Sequence, residues 1–230
     1  MRLKSALFAL PLSLLLLAPH ATFADTLTLT GTSGGSVDGV DIFPYEFTVT
    51  GPGGTNTNVQ MSCLNFNREI TVGEEWSVTP MSVLSIGAAG VDGESKQDFI
   101  EDAFLYNMYA TATTTQQISD IQFAIWDIMD PTGVAGDLDN NSKNLAAGAL
   151  AAYNAGVANS NDFSFAANDT VFIPINGSQT GSDGEPQIFM VDPVPPAVTP
   201  EPSSLLLFGT GLLGTVGIMR RRFMKTQTGV

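Results

Sequence analysis

The chain has 230 residues, of which 23 are acidic and 9 basic. Six of the basic residues (Arg2, Lys4, Arg220, Arg221, Arg222 and Lys225) lie at the two ends, so residues 25–202 hold only Arg68, Lys96 and Lys143 against all 23 acids, a net charge of −20. That surface repels nucleic acid and anionic lipid. The one histidine, His20, lies in the N-terminal leader, which excludes Ser-His-Asp and Cys-His nucleophiles and His-bearing zinc or copper sites; the one cysteine, Cys63, excludes an intramolecular disulfide.

Arg2 and Lys4 precede the apolar run from Ala6 to Ala18, which is too short to span a bilayer, and small residues follow at Ala21 and Ala24. This is the layout of a secretory signal peptide, residues 1–24, with cleavage after Ala24 and export by the Sec machinery. The exported part, residues 25–191, is long enough for one domain with its own core.

Its first part reads as β-structure. Thr26 to Thr30 alternates and stops at Gly31. Tyr45, Phe47 and Val49 alternate up to the turn Gly51-Pro52-Gly53-Gly54, and Val59, Met61 and Cys63 alternate again, so that Cys63 shares their face. Trp76 and Val78 follow, ahead of Pro80. The period then changes. Phe99, Ile100, Ala103, Phe104 and Met108 fall at helical spacing, a second helix runs from about Thr115 to Met129 ahead of Pro131, and an alanine-rich third runs from about Ser142, a fitting N-cap, to Val157. Strands return at 171–175 and 187–191 as a hairpin. The expected fold class is α+β: a β-sandwich or barrel-like domain with a helical insertion at about 96–158.

Weaker signals lie within the domain. Asp137, Asp139 and Asn141 imitate the start of an EF-hand loop, but Ser142 and Gly148 replace its glycine and its closing glutamate, so a solvated loop and no metal are expected. Glu74-Glu75 and the acids from Asp92 to Asp102 offer carboxylate pairs for a secreted glycosidase, the most distant of the functional alternatives; a solvated acidic face is the default. No enzyme and no cofactor are expected.

The C-terminal end is built differently. Residues 192–199 form a proline-rich spacer, kept extended by fixed φ angles and missing N–H groups. Pro200-Glu201-Pro202 follows, then the apolar run Ser203 to Met219, then Arg220, Arg221, Arg222 and Lys225. A run of about 17 residues spans about 26 Å as a helix, just under a hydrocarbon core. The basic stop places residues 226–230 in the cytoplasm and everything before Pro200 outside.

Residues 200–225 resemble the PEP-CTERM sorting signal, in the triplet, the Leu/Gly-rich helix and the arginine cluster together. The resemblance implies recognition by exosortase, a membrane protease, with cleavage near the triplet. It further implies an envelope protein of a Gram-negative bacterium that makes exopolysaccharide. Such a chain is held transiently in the membrane by its C-terminal helix and ends at the cell surface or in the extracellular matrix.

A second resemblance lies on the second helix. Ile118, Gln122, Ile125 and Met129 form one stripe in which Gln122 is the polar member. Gln122, with Ile121, Ala124, Ile125 and Trp126 around it, resembles the glutamine motif of bacterial thioester domains, the adhesive tips of some surface proteins. The resemblance implies a bond between that glutamine and a cysteine on the β part, here Cys63, with loss of ammonia. Ser62 stands before Cys63 where that family usually has an aromatic residue or leucine. The expected role is a covalent adhesin directed at an amine-bearing surface partner or at exopolysaccharide. The alternative is a passive structural component of the biofilm matrix, with Cys63 a small core residue and Gln122 a hydrogen-bonded buried amide.

Overall fold

A computed structural model describes residues 24–175 and 186–192. Most of the leader, the spacer beyond Asp192, the Pro200-Glu201-Pro202 triplet, the apolar run 203–219 and the basic stop lie outside the described residues. Among the described residues no helix is long and apolar enough to cross a membrane.

Among the described residues, eight strands and three α-helices follow one another. The strands are β1 (Asp25–Thr32), β2 (Ser36–Val37), β3 (Val40–Asp41), β4 (Tyr45–Gly51), β5 (Gly54–Cys63), β6 (Glu75–Ser82), β7 (Thr170–Pro174) and β8 (Phe189–Val191). The helices α1 (Lys96–Met108), α2 (Thr115–Met129) and α3 (Asn140–Ala158) all lie between β6 and β7. Six strands close into an antiparallel barrel in the order β1-β4-β5-β8-β7-β6, while β2 and β3 pair separately. The fold is therefore mixed, a closed six-stranded barrel with a helical insertion. Closure is made by β1, which pairs with β4 on one side and β6 on the other.

Alternation drives the barrel. Leu27 and Leu29, then Tyr45, Phe47 and Val49, then Val59, Met61 and Cys63, then Trp76 and Val78 all turn into the core. Phe47, Trp76 and Phe189 meet there edge to face or tilted, with centroids 4.6–6.1 Å apart. β4 and β5 form a tight hairpin across Pro52-Gly53, with Gly51 paired to Gly54. Gly54 takes a φ of +118°, which only glycine adopts without strain.

The helices start at built caps. Ser95 and Asp98 form a capping box at α1, and Thr114 and Gln117 form another at α2. α2 is the innermost helix: residues 119–126 are all buried. α3 buries only Ser142, Ala149 and Gly156 and covers the other two from outside. At Gly156 an added Cβ would stand 2.4 Å from the Phe163 ring, so glycine is what allows that close approach.

Three boundaries differ from expectation. α3 begins at Asn140, and its N-cap is Asp139, whose carboxylate accepts from the Ser142 N–H at 2.8 Å. Ser142 is thus inside the first turn, because the aspartate three residues earlier is the stronger acceptor. β6 continues through Pro80 to Ser82. Its pairing with β1 ends at Val78, and along that unpaired side a residue without an N–H is tolerated. The hairpin of β7 and β8 forms, but its second strand is short: Gln187 and Ile188 precede β8 and bond to the segment after Cys63 instead.

Candidate functional site: the end of β5 under helix α2

Period-two alternation would put Ser62 and Cys63 on opposite faces of β5, one wet and one dry. Both are fully buried, because the helical insertion covers the outer face at this point. β5 ends here in a short pairing with β8, Ser62 opposite Met190 and Cys63 opposite Phe189. The segment beyond is stitched down by side chains. Asn65 accepts from the Ile188 N–H through its side chain at 2.8 Å, and Gln187 Nε2 donates to the carbonyls of Asn65 and Arg68. Arg68 in turn pairs with Asp92 at 2.7 Å.

Gln122 meets this strand end from α2. It is fully buried. Its Nε2 donates to the Cys63 carbonyl at 2.7 Å, and its Oε1 accepts from Ser62 Oγ at 3.2 Å and from the Tyr109 hydroxyl at 3.1 Å. The orientation of the amide follows from chemistry, since a main-chain carbonyl only accepts and must face the nitrogen. Tyr109 sits in the turn that follows α1, its ring stacked on Phe43 at 3.9 Å. Burial holds its phenol well above the usual range, so it stays protonated and remains a donor.

The Cys63 sulfur is equally dry. It donates to the Asn65 carbonyl at 3.2 Å. Burial pushes the thiol up to about 12, and Trp126, Asn65 and Arg68 act weakly in the other direction. Trp126 follows Gln122 by one helical turn, on the same face. Its Nε1 makes no hydrogen bond of ordinary geometry among the described residues, yet it lies near enough to the sulfur to favour the thiolate. A cleft of about 730 Å³ reaches Trp126 from the surface past Tyr45, Phe66 and Arg68, while neither Cys63 nor Gln122 lines it.

The structure thus sets the Gln122 carboxamide against the Cys63 main chain, with the Cys63 sulfur on the Asn65 carbonyl and near Trp126; Ile121, Ala124 and Ile125 are buried on the same helix. Ala24 is exposed directly ahead of β1. Ser62, Tyr109 and Asn65 are additions from the fold. Ser62 had one visible signal, a hydroxyl beside the cysteine in an otherwise apolar strand end; Tyr109 had none. Three of the carboxylates considered for glycosidase chemistry hold separate structural partners. Glu74 accepts from the Thr71 N–H, Asp92 pairs with Arg68, and Asp98 caps α1. Asp102 is fully buried with no partner for either oxygen among the described residues, and burial drives its pKa well up, so it is held protonated. Asp139, from the EF-hand-like run, is spent as the cap of α3.

Residues 198–222 match the family model of the PEP-CTERM protein-sorting motif. The chain therefore carries this sorting signal, which implies exosortase as its processing partner and the cell surface or extracellular space as its destination. No curated protein matches the sequence. Among solved structures, the N-terminal thioester domain of a surface protein from Clostridium perfringens aligns with a TM-score of 0.41 and 13% identity, covering 73% of this chain and 97% of that one. At that distance the likeness carries no chemistry across, and what the site can do rests on its own residues.

Proposed function

We propose that this is an exported surface protein whose barrel domain holds an internal Cys63–Gln122 thioester and uses it once to acylate an amine on a partner surface. The observation that carries the reading is the placement of Gln122: a fully buried carboxamide hydrogen-bonded to the main chain of the chain's only cysteine. The Cys63 thiol donates to the Asn65 carbonyl, so forming the bond requires the sulfur to leave that partner for the Gln122 carboxamide. A dry site suits such a bond, because water would hydrolyse it. The domain would be an adhesin rather than an enzyme, since each site reacts once and is not regenerated. The strongly acidic exterior suits a partner that presents cationic amines.

A passive structural role is the second reading. It is favoured by the three hydrogen bonds around Gln122, which satisfy both its oxygen and its nitrogen as a buried structural amide requires. Intact mass decides between the two: the thioester form is lighter than its sequence by one ammonia, and a small primary amine adds to it.

A further inference from the structure

We infer that Ser62 and Tyr109 form an oxyanion pocket for acyl transfer at Gln122, acting when the thioester forms and again when an amine opens it. This rests on the thioester reading. Both hydroxyls point at the same atom, Gln122 Oε1, at 3.2 and 3.1 Å. They also lie 3.4 Å from each other, but each has one hydrogen, and with both donated to Oε1 neither is left for the other.

In the forming step the Cys63 sulfur adds to the Gln122 Cδ, and the carbonyl electron pair moves onto Oε1. The intermediate collapses by breaking the C–N bond. The nitrogen takes the thiol proton and leaves as ammonia, so a thiol and a carboxamide become a thioester and ammonia with no further reactant. In the capture step a primary amine adds to the same carbon, and charge again collects on Oε1. The C–S bond breaks, the sulfur takes a proton from the amine, and an amide and a free thiol remain. Both steps put negative charge on the one oxygen that the two hydroxyls face.

The distances give this a differential character. Ordinary O–H···O bonds lie near 2.7–2.8 Å, so contacts of 3.1–3.2 Å are loose in the ground state and have room to shorten. Bonds to a developing anion are about twice as strong as neutral ones, so the hydroxyls stabilise the intermediate more than the amide. The Phe43 ring stacked on Tyr109 holds the phenol in place, and pairing with Met190 holds Ser62. Gln122 and Ser62 are fully buried and Tyr109 nearly so, which keeps bulk water away from Oε1.

The test uses the exported wild-type chain and the variants Ser62→Ala, Ser62→Thr, Tyr109→Phe and Ser62→Ala/Tyr109→Phe. The readout is the rate at which methylamine adds at Gln122, followed by mass, with thermal melting as a check on folding. Removal of one oxyanion donor costs up to about 10²–10³-fold elsewhere; for these neutral hydroxyls we expect at least about tenfold for each single variant and about a hundredfold for the double. Ser62→Thr should retain most of the rate. Wild type with the ammonia deficit and an unchanged methylamine rate in both folded single variants would overturn the inference and leave the thioester standing. Wild type without the deficit would overturn both. Should Tyr109→Phe fail to fold, Ser62→Ala against Ser62→Thr decides alone.

Discussion

Gln122 Nε2 donates to the main-chain carbonyl of Cys63 at 2.7 Å, tying two residues 59 positions apart and making the helical insertion part of the barrel. The bond has a stability consequence independent of any acyl chemistry. Gln122→Leu removes it and leaves the Cys63 carbonyl buried without its partner, whereas Ser62 and Tyr109 can turn to each other across 3.4 Å. We expect a loss of about 1–3 kcal/mol in urea unfolding, the cost of one stranded buried group. A loss below a few tenths would show that the amide contributes nothing to joining the two layers.

Thiol reactivity should separate burial from bonding. With its pKa pushed up to about 12 and its side chain fully buried, the Cys63 thiol of Gln122→Leu should alkylate very slowly in the folded state at pH 8. In denaturant the same variant should titrate one thiol per chain. A slow native thiol is therefore no sign of a thioester. Rapid alkylation of the folded variant would mean that the site is open to water.

Stability should fall as pH rises from about 4 to about 7. Asp169 is raised to about 7, first by burial, then by the charge of Asp192, with Asn107 pulling weakly the other way. Its folded pKa thus exceeds its unfolded one: below about 4 both states hold the proton, and between about 4 and about 7 only the folded state keeps it. Folding is favoured at the acid end and loses this contribution as pH climbs through the folded pKa. Asp102, also driven up by burial, acts in the same direction. Urea midpoints followed across this range should show a shallower slope in Asp169→Asn. An identical slope would place the titration elsewhere.

The N-terminal leader and the sorting signal each predict one processed end. Protein recovered outside a host with exosortase should begin at or near Asp25 and lack the residues beyond about Pro202. Replacing Pro200, Glu201 and Pro202 by alanine should leave the tail attached, seen by mass or by a C-terminal tag. Equal processing with and without the triplet would remove exosortase from the account.

Much of the fold was legible because it is local. The alternation in Tyr45, Phe47 and Val49, the turn at Gly51 to Gly54, and the helical spacing ended by Pro131 each report one element without reference to the others. Closure was not legible. Whether the strands make a sandwich or a barrel depends on β1 meeting β6 across more than forty residues, and nothing in either strand states that register. The continuation of β6 through Pro80 has the same origin, because a proline is permitted there only where β1 has run out. At the site, Cys63 and Gln122 stood out as a lone thiol and a polar residue in an apolar stripe. Tyr109 did not, since its hydroxyl reaches Gln122 only after α1 and α2 pack together.

The most direct test is the intact mass of the exported chain, measured beside Cys63→Ala with the same processed ends. The account predicts wild type lighter than its sequence by one ammonia, a deficit absent from Cys63→Ala and replaced by an added amine after methylamine treatment. Wild type at its full sequence mass, with one thiol titrating in denaturant and no methylamine added, would contradict it and leave Cys63 and Gln122 as packing partners in a structural domain.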